Sequence, residues 1–158
     1  NLLGPLTNPA NAKNQLLGVY DKKWINTHCE VLKELGSNKV MIVHGFDGLD
    51  EITLSQNTYI CELKDKHIQN YNFDPRDIGY DYISLEDIKG GDPKYNAECF
   101  MKMINGKYDQ FQKIVEINAG AAVYLSGKAS SIKEGALIAQ KSITEGKTKN
   151  FISSITNE

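Results

Sequence analysis

The residues best suited to chemistry lie together in His44-Gly45-Phe46-Asp47-Gly48-Leu49-Asp50-Glu51, directly after the apolar run Val40-Met41-Ile42-Val43. Asp50 and Glu51 are adjacent carboxylates, the donor type that hard, oxygen-seeking Mg²⁺ selects. Two glycines permit a tight backbone path, and the loop follows a buried strand at the end where ligands of α/β sheets gather. On the residues alone, a solvated turn rich in turn-formers accounts for the same composition.

Other chemistry-bearing residues lack a constellation. Gly90-Gly91-Asp92 precedes Pro93 and reads as a helix cap with proline at the first helical position, because no lysine or hydroxyl is placed as in a P-loop. His28, His44 and His67 read as hydrogen-bonded structural residues, not bases. Cys29, Cys61 and Cys99 are far apart and contain no Cys-x-x-Cys pair, so free buried thiols are expected instead of zinc or a redox dithiol.

The positioning elements follow from periodicity. Leu16 to Tyr20 reads as a short strand. From Asp21, an N-cap, the stripe Trp24, Ile25, Val31, Leu32, Leu35 predicts a helix that Gly36 ends. Lys39 to His44 is a strand covered on both faces. Thr58 to Leu63 and His67 to Phe73 are two further strands joined by a hairpin, with His67, Gln69, Tyr71 and Phe73 on one face. Asp92-Pro93 opens a helix carrying Ala97, Phe100, Met101 and Ile104. Phe111 to Leu125, the most apolar helix, is expected at the centre. Ser131 to Glu134 fits a capping box for another helix, and Phe151, Ile152 and Ile155 mark a last one.

Several segments resemble those of the anthranilate phosphoribosyltransferases, in order, from residue 1 to near the end. Asn1-Leu2-Leu3-Gly4-Pro5-Leu6-Thr7-Asn8-Pro9-Ala10 resembles one family signature. The loop ending in Asp50-Glu51 resembles the Gly-x-Asp-Gly-Leu-Asp-Glu element. Gly90 to Ala97 is similar to a Gly-Gly-Asp-Pro-x-x-Asn-Ala segment, Asn118 to Tyr124 to a small-residue packing helix, and Ser131 to Gly146 to an Arg/Lys-Glu-Gly helix.

The resemblance implies an α/β fold, a mostly parallel sheet with a small antiparallel hairpin and covering helices. This is the C-terminal portion of the nucleoside phosphorylase/phosphoribosyltransferase C-terminal-domain fold, with 1–158 as one α/β domain fragment. It implies transfer of phosphoribose from phosphoribosyl pyrophosphate to anthranilate in tryptophan biosynthesis, releasing pyrophosphate. Asp50 and Glu51 would coordinate Mg²⁺, and Gly4 and Pro5 would line the anthranilate tunnel. The family's diphosphate-binding Gly-Thr-Gly-Gly-Asp loop and its dimer-forming helical domain are expected upstream of residue 1, so the fragment alone is expected to be inactive and the homodimer to need the longer chain. Alternatives are a non-catalytic, nucleic-acid-binding relative of the same fold and a pyrimidine nucleoside phosphorylase-like enzyme.

Bulk composition narrows the classes. The 158 residues carry a net charge of −2, and Arg76 is the one arginine among 18 basic residues, which disfavours a nucleic-acid partner. No apolar stretch approaches the roughly 20 residues of a membrane span. With an ordinary globular composition, the expected location is the cytoplasm.

Overall fold

A computed structural model of the chain describes residues 3–107 and 109–156. Asn1 and Leu2 of the opening segment, Tyr108, and the last two residues of the 1–158 span lie outside the described residues. Four strands, β1 (Asn14–Gly18), β2 (Lys39–Gly45), β3 (Thr58–Lys64) and β4 (His67–Phe73), form one sheet in the order β1-β2-β3-β4. Five helices accompany it: α1 (Ile25–Glu34), α2 (Pro93–Ile104), α3 (Gln110–Leu125), α4 (Ile132–Thr144) and α5 (Lys147–Thr156).

The expected α/β class and antiparallel hairpin are present, but the sheet is mixed. Parallel pairing is confined to β1 with β2, whose connection runs through α1; β2–β3 and β3–β4 are antiparallel. The parallel share is smaller than the sequence predicts because β2 and β3 are joined without a helix, so the chain reverses. At the hairpin, Asp65 and Lys66 both have positive φ, 50° and 66°, which is the two-residue turn whose twist matches the strands it joins.

The run Val40 to Val43 is buried on both faces. Val40 and Ile42 pack with Ile25, Cys29 and Leu32 of α1, while Met41 and Val43 pack with Ile114, Ile117 and Ala121 of α3. Tyr71 and Phe73 join the α3 side as the strand pattern predicts. Cys29 and Cys61 are buried free thiols, whereas Cys99 is partly exposed.

The starts of α2 and α4 agree with their caps, while Asp21 caps the 3-10 turn Lys22–Trp24 that precedes α1. Asp21, Asp92 and Ser131 accept backbone N–H groups from Lys23, Tyr95 and Glu134, but Glu134 turns its carboxylate to the Ser130 amide (2.7 Å) and hydroxyl (2.6 Å), one residue short of a reciprocal box. The α2 stripe is shifted. Met103 and Ile104 are buried while Ala97 and Met101 face outward, because the helix is anchored by its last turn against Ile143 of α4.

α3 and α4 cross at two glycines. A Cβ at Gly120 would lie 2.7 Å from the Cα of Ala136, and one at Gly135 would overlap the Gly120 carbonyl. Helix backbones therefore touch, and α3 is held between α4 and the sheet. Gly120→Val forces this crossing apart, with an expected loss of about 3 kcal/mol, read as a lower urea midpoint.

Candidate functional site

The acid-bearing loop leaves β2 at Gly45 and returns to the sheet at Thr58. It folds back at once. The Gly45 amide donates to the Leu49 carbonyl (2.7 Å), and the Gly48 amide donates to the Gly45 carbonyl (3.0 Å). Gly48 has φ of +96°, a conformation that L side chains rarely adopt. The next carbonyl, that of Asp50, lies so close to Gly18 at the end of β1 that any Cβ there would overlap it. The acid pair thus sits across the carboxyl ends of the two parallel strands, as the sequence predicts.

The residue after the pair is held more firmly. The Ile52 amide donates to Asn118 Oδ1 (3.0 Å), and Asn118 Nδ2 donates to the Ile52 carbonyl (2.9 Å) and to the Ile114 carbonyl (3.0 Å). Asn118 reads from sequence as part of a packing helix. Its carboxamide instead pairs with both backbone groups of Ile52, fixing the loop to α3.

Asp50 and Glu51 themselves are exposed. Among the described residues neither carboxylate accepts a hydrogen bond or pairs with a cation; the four ion pairs form elsewhere, at Asp21, Asp74, Glu86 and Glu145. Loss of hydration against the loop and helix, and then the neighbouring Asp50 charge, push the Glu51 carboxyl above its ordinary range. Adjacent carboxylates are donors that would suit part of a hard cation's shell, and the remaining ligands would have to come from outside these residues, since no cluster of three or more potential ligands is present among the described residues.

Glu51 also edges a cleft of about 740 Å³. Leu49 and Glu51 form one wall, Phe111, Ile114 and Asn118 of α3 the floor, and Leu85, Ile88 and Lys89 the far wall. Its interior is apolar and its rim is charged. The far wall belongs to a 3-10 turn, Leu85–Ile88, closed by a capping box between Ser84 and Asp87.

Gly4 and Pro5 are not among the residues that line this cleft. They begin a 3-10 turn, Gly4–Leu6, whose Leu6 packs on the α1 side of the sheet. A Cβ at Gly4 meets no atom within 4 Å, so no close approach within the chain requires glycine there. His44 is structural: its Nδ1 bonds the Val19 carbonyl at 2.8 Å and joins the ends of β1 and β2. Gly90-Gly91-Asp92 caps α2, and Asn96 returns to the Gly91 amide (2.8 Å) and carbonyl (3.1 Å), which accounts for the Asn of that segment.

With this geometry in hand, residues 1–149 match the model of the glycosyl transferase family, a/b domain. The chain belongs to that family. It is 44% identical over 149 residues to the anthranilate phosphoribosyltransferase of Methanobrevibacter smithii, covering 94% of this chain and 44% of that protein. To the enzyme of the same name from Clostridium beijerinckii it is 49% identical over 135 residues, 85% of this chain and 40% of that one.

Among solved structures, that of anthranilate phosphoribosyltransferase from Thermus thermophilus superposes with a TM-score of 0.86 at 34% identity, over 97% of this chain and 45% of that chain. The Saccharomyces cerevisiae enzyme in complex with phosphoribosyl pyrophosphate and Mg gives a TM-score of 0.85 at 25% identity, over 99% and 46%. The chain spans less than half the length of these relatives. No helix among the described residues is long and apolar enough to cross a membrane.

Two outcomes are expected at this site. Asn118→Ala leaves the Ile52 amide unpaired and lowers stability by about 2 kcal/mol, with faster hydrogen exchange at Ile52. In a ¹³C carboxyl titration Glu51 protonates above the ordinary glutamate range, and Asp50→Asn moves its midpoint down, since removing a like charge favours the carboxylate.

Proposed function

We propose that this chain is the pyrophosphate-metal half of an anthranilate phosphoribosyltransferase, one α/β domain fragment of the catalytic domain. The observation that carries the reading is the Asp50-Glu51 pair, held at the carboxyl ends of β1 and β2 with no partner for either carboxylate among the described residues. The matching relatives carry the same enzyme name, and one solved structure holds phosphoribosyl pyrophosphate and Mg.

In this reading Asp50 and Glu51 hold Mg²⁺, which when bound offsets the charge that develops on the departing pyrophosphate. The chain's own work is placement. Gly18 and Gly45 let the loop lie flat on the strand ends, and Asn118 fixes its exit, so the carboxylates stand ready before substrate arrives. The acids act as carboxylates in holding the ion and move no proton. Gly4 and Pro5 belong to the anthranilate side, where the free space over Gly4 leaves room for a ligand. Cytoplasmic biosynthesis of tryptophan is the corresponding setting.

In the full-length protein, Asp50→Ala with Glu51→Ala is expected to reduce kcat/KM for phosphoribosyl pyrophosphate by about 100-fold or more while circular dichroism and the melting midpoint stay close to those of the parent. Unchanged kinetics across a magnesium titration overturn the assignment. The 158-residue chain by itself is expected to show no transfer of phosphoribose to anthranilate, and turnover by this purified chain would refute that.

A further inference from the structure

The loop contains a third acid, Asp47, chemically as able to bind Mg²⁺ as its neighbours. Geometry separates it from them. Its Oδ1 accepts the Leu49 amide at 3.1 Å, and its Oδ2 accepts the hydroxyls of Thr53 and Ser55. Thr53 is itself tied down, its Oγ1 accepting the Ser55 amide (2.9 Å) and its amide donating to Thr58 Oγ1 (3.1 Å). Asp47 is half-buried, and a Cβ at residue 45 would overlap its Oδ1, so Gly45 is the space in which this carboxylate sits. Three protein donors converge on one carboxylate, and Thr53, buried beneath it, accepts and donates in turn.

We propose that Asp47 is a positioning residue for the metal-holding pair, resting on the reading of Asp50-Glu51 given above. Asp47 joins the limb that enters the acid pair, through Leu49, to the limb that leaves it, through Thr53 and Ser55. Asp50 and Glu51 are therefore the apex of a loop whose base is closed by one buried-side carboxylate. A formal negative charge suits the role, because all three partners arrive as donors. Asn keeps an acceptor for the Leu49 amide but presents its own donors to the two hydroxyls, which must rotate to accept; Ala removes the closure. Mg²⁺ demands near-ideal octahedral geometry, so a loosened apex weakens the ion's hold before it alters anything else.

The test is a magnesium titration of the full-length protein, read both as phosphoribosyl transfer and as Mg²⁺ binding by calorimetry in the presence of phosphoribosyl pyrophosphate. Asp47→Ala is expected to raise the half-saturating Mg²⁺ concentration about tenfold or more, the size found when groups that orient metal ligands are removed, with kcat at saturating Mg²⁺ falling less than about threefold. Asp47→Asn is expected to fall between parent and Ala, and Ser55→Ala to give a shift of about threefold. An unchanged half-saturating concentration in Asp47→Ala, beside a shifted one in Asp50→Ala/Glu51→Ala, overturns this inference and leaves the metal reading standing. A loss confined to kcat overturns it too, since that is what disruption of the fold alone produces. No shift in Asp50→Ala/Glu51→Ala overturns the metal reading and this inference with it. Should Asp47→Ala fail to fold, Asp47→Asn and Ser55→Ala decide by the same readout, and no shift in either overturns the proposal.

Discussion

The paired hydrogen bonds between Asn118 and Ile52 join the two halves of the site. A loop of a dozen residues between two strands has many conformations, and ordering it costs entropy that surface contacts alone offset poorly. A carboxamide that satisfies both an amide and a carbonyl of one residue removes that freedom at a single point. The point is well chosen: it immediately follows Glu51 and lies on the helix that the α4 glycine crossing holds against the sheet. Rigidity passes from α3 to the exit of the acid pair through this side chain.

The same helix carries an unusual burden for an apolar segment. Glu116 is fully buried, receiving hydrogen bonds from Gln112 (2.8 Å), Tyr80 (3.0 Å) and Gln140 (3.4 Å). Glu62 of β3 is also buried and takes the hydroxyls of Tyr71 (2.9 Å) and Tyr124 (2.6 Å). A buried carboxylate is costly unless donors surround it, and apart from Gln112, one turn before Glu116, those donors come from other segments. Tyr71 and Tyr124 tie β4 and α3 to β3, and burial first, then the Glu62 charge, raise the Tyr71 hydroxyl far above its ordinary range, so it remains a donor. Tyr80 ties the segment leading to Leu85–Ile88 down onto α3, and that segment is the far wall of the cleft beside Glu51. Buried polar bonds thus shape the cleft that apolar contacts fill.

How much of this was legible in the sequence depended on how local each cause is. The starts of α2 and α4 at Asp92 and Ser131 are set by residues three positions away and were readable, whereas Asp21 caps a 3-10 turn, Lys22–Trp24, and α1 begins after it. The double burial of Val40 to Val43 shows in an unbroken apolar run. The acid pair was readable because residue type, adjacency and position after a strand sit within a dozen residues. Asn118 was not, since its partner lies 66 positions away and an Asn within an Ala-rich helix looks like any polar substitution. Nothing local marks Glu62 and Glu116 as buried, for the same reason: the tyrosines that make burial tolerable are contributed by other segments. The antiparallel pairing of β2 with β3 shows only indirectly, in the lack of a helix between them, because a buried strand looks alike in both directions. The assignment of Gly4 and Pro5 to a substrate tunnel rests on resemblance, since no contact within the chain singles out Gly4.

Asp50 and Glu51 differ from other exposed acids without an ion pair among the described residues, such as Glu30, Glu34 and Glu98, in standing next to each other at strand ends. Lysines are plentiful in this chain, and exposed acids such as Glu86 and Glu145 find one within a few residues. The adjacent pair finds none among the described residues, and the raised Glu51 pKa reflects lost hydration first and the Asp50 charge second. A turn shaped only by stability has an easy remedy, a nearby lysine or an uncharged side chain at either position, each relieving like-charge contact. The loop instead commits Gly18, Gly45, Asp47 and Asn118 to holding the two charges side by side and facing outward. Such an arrangement is stabilised when a cation arrives with its own anionic ligands, and it costs the free protein little reorganisation at that moment. Two like charges fixed side by side at the strand ends are what the proposed cation would offset.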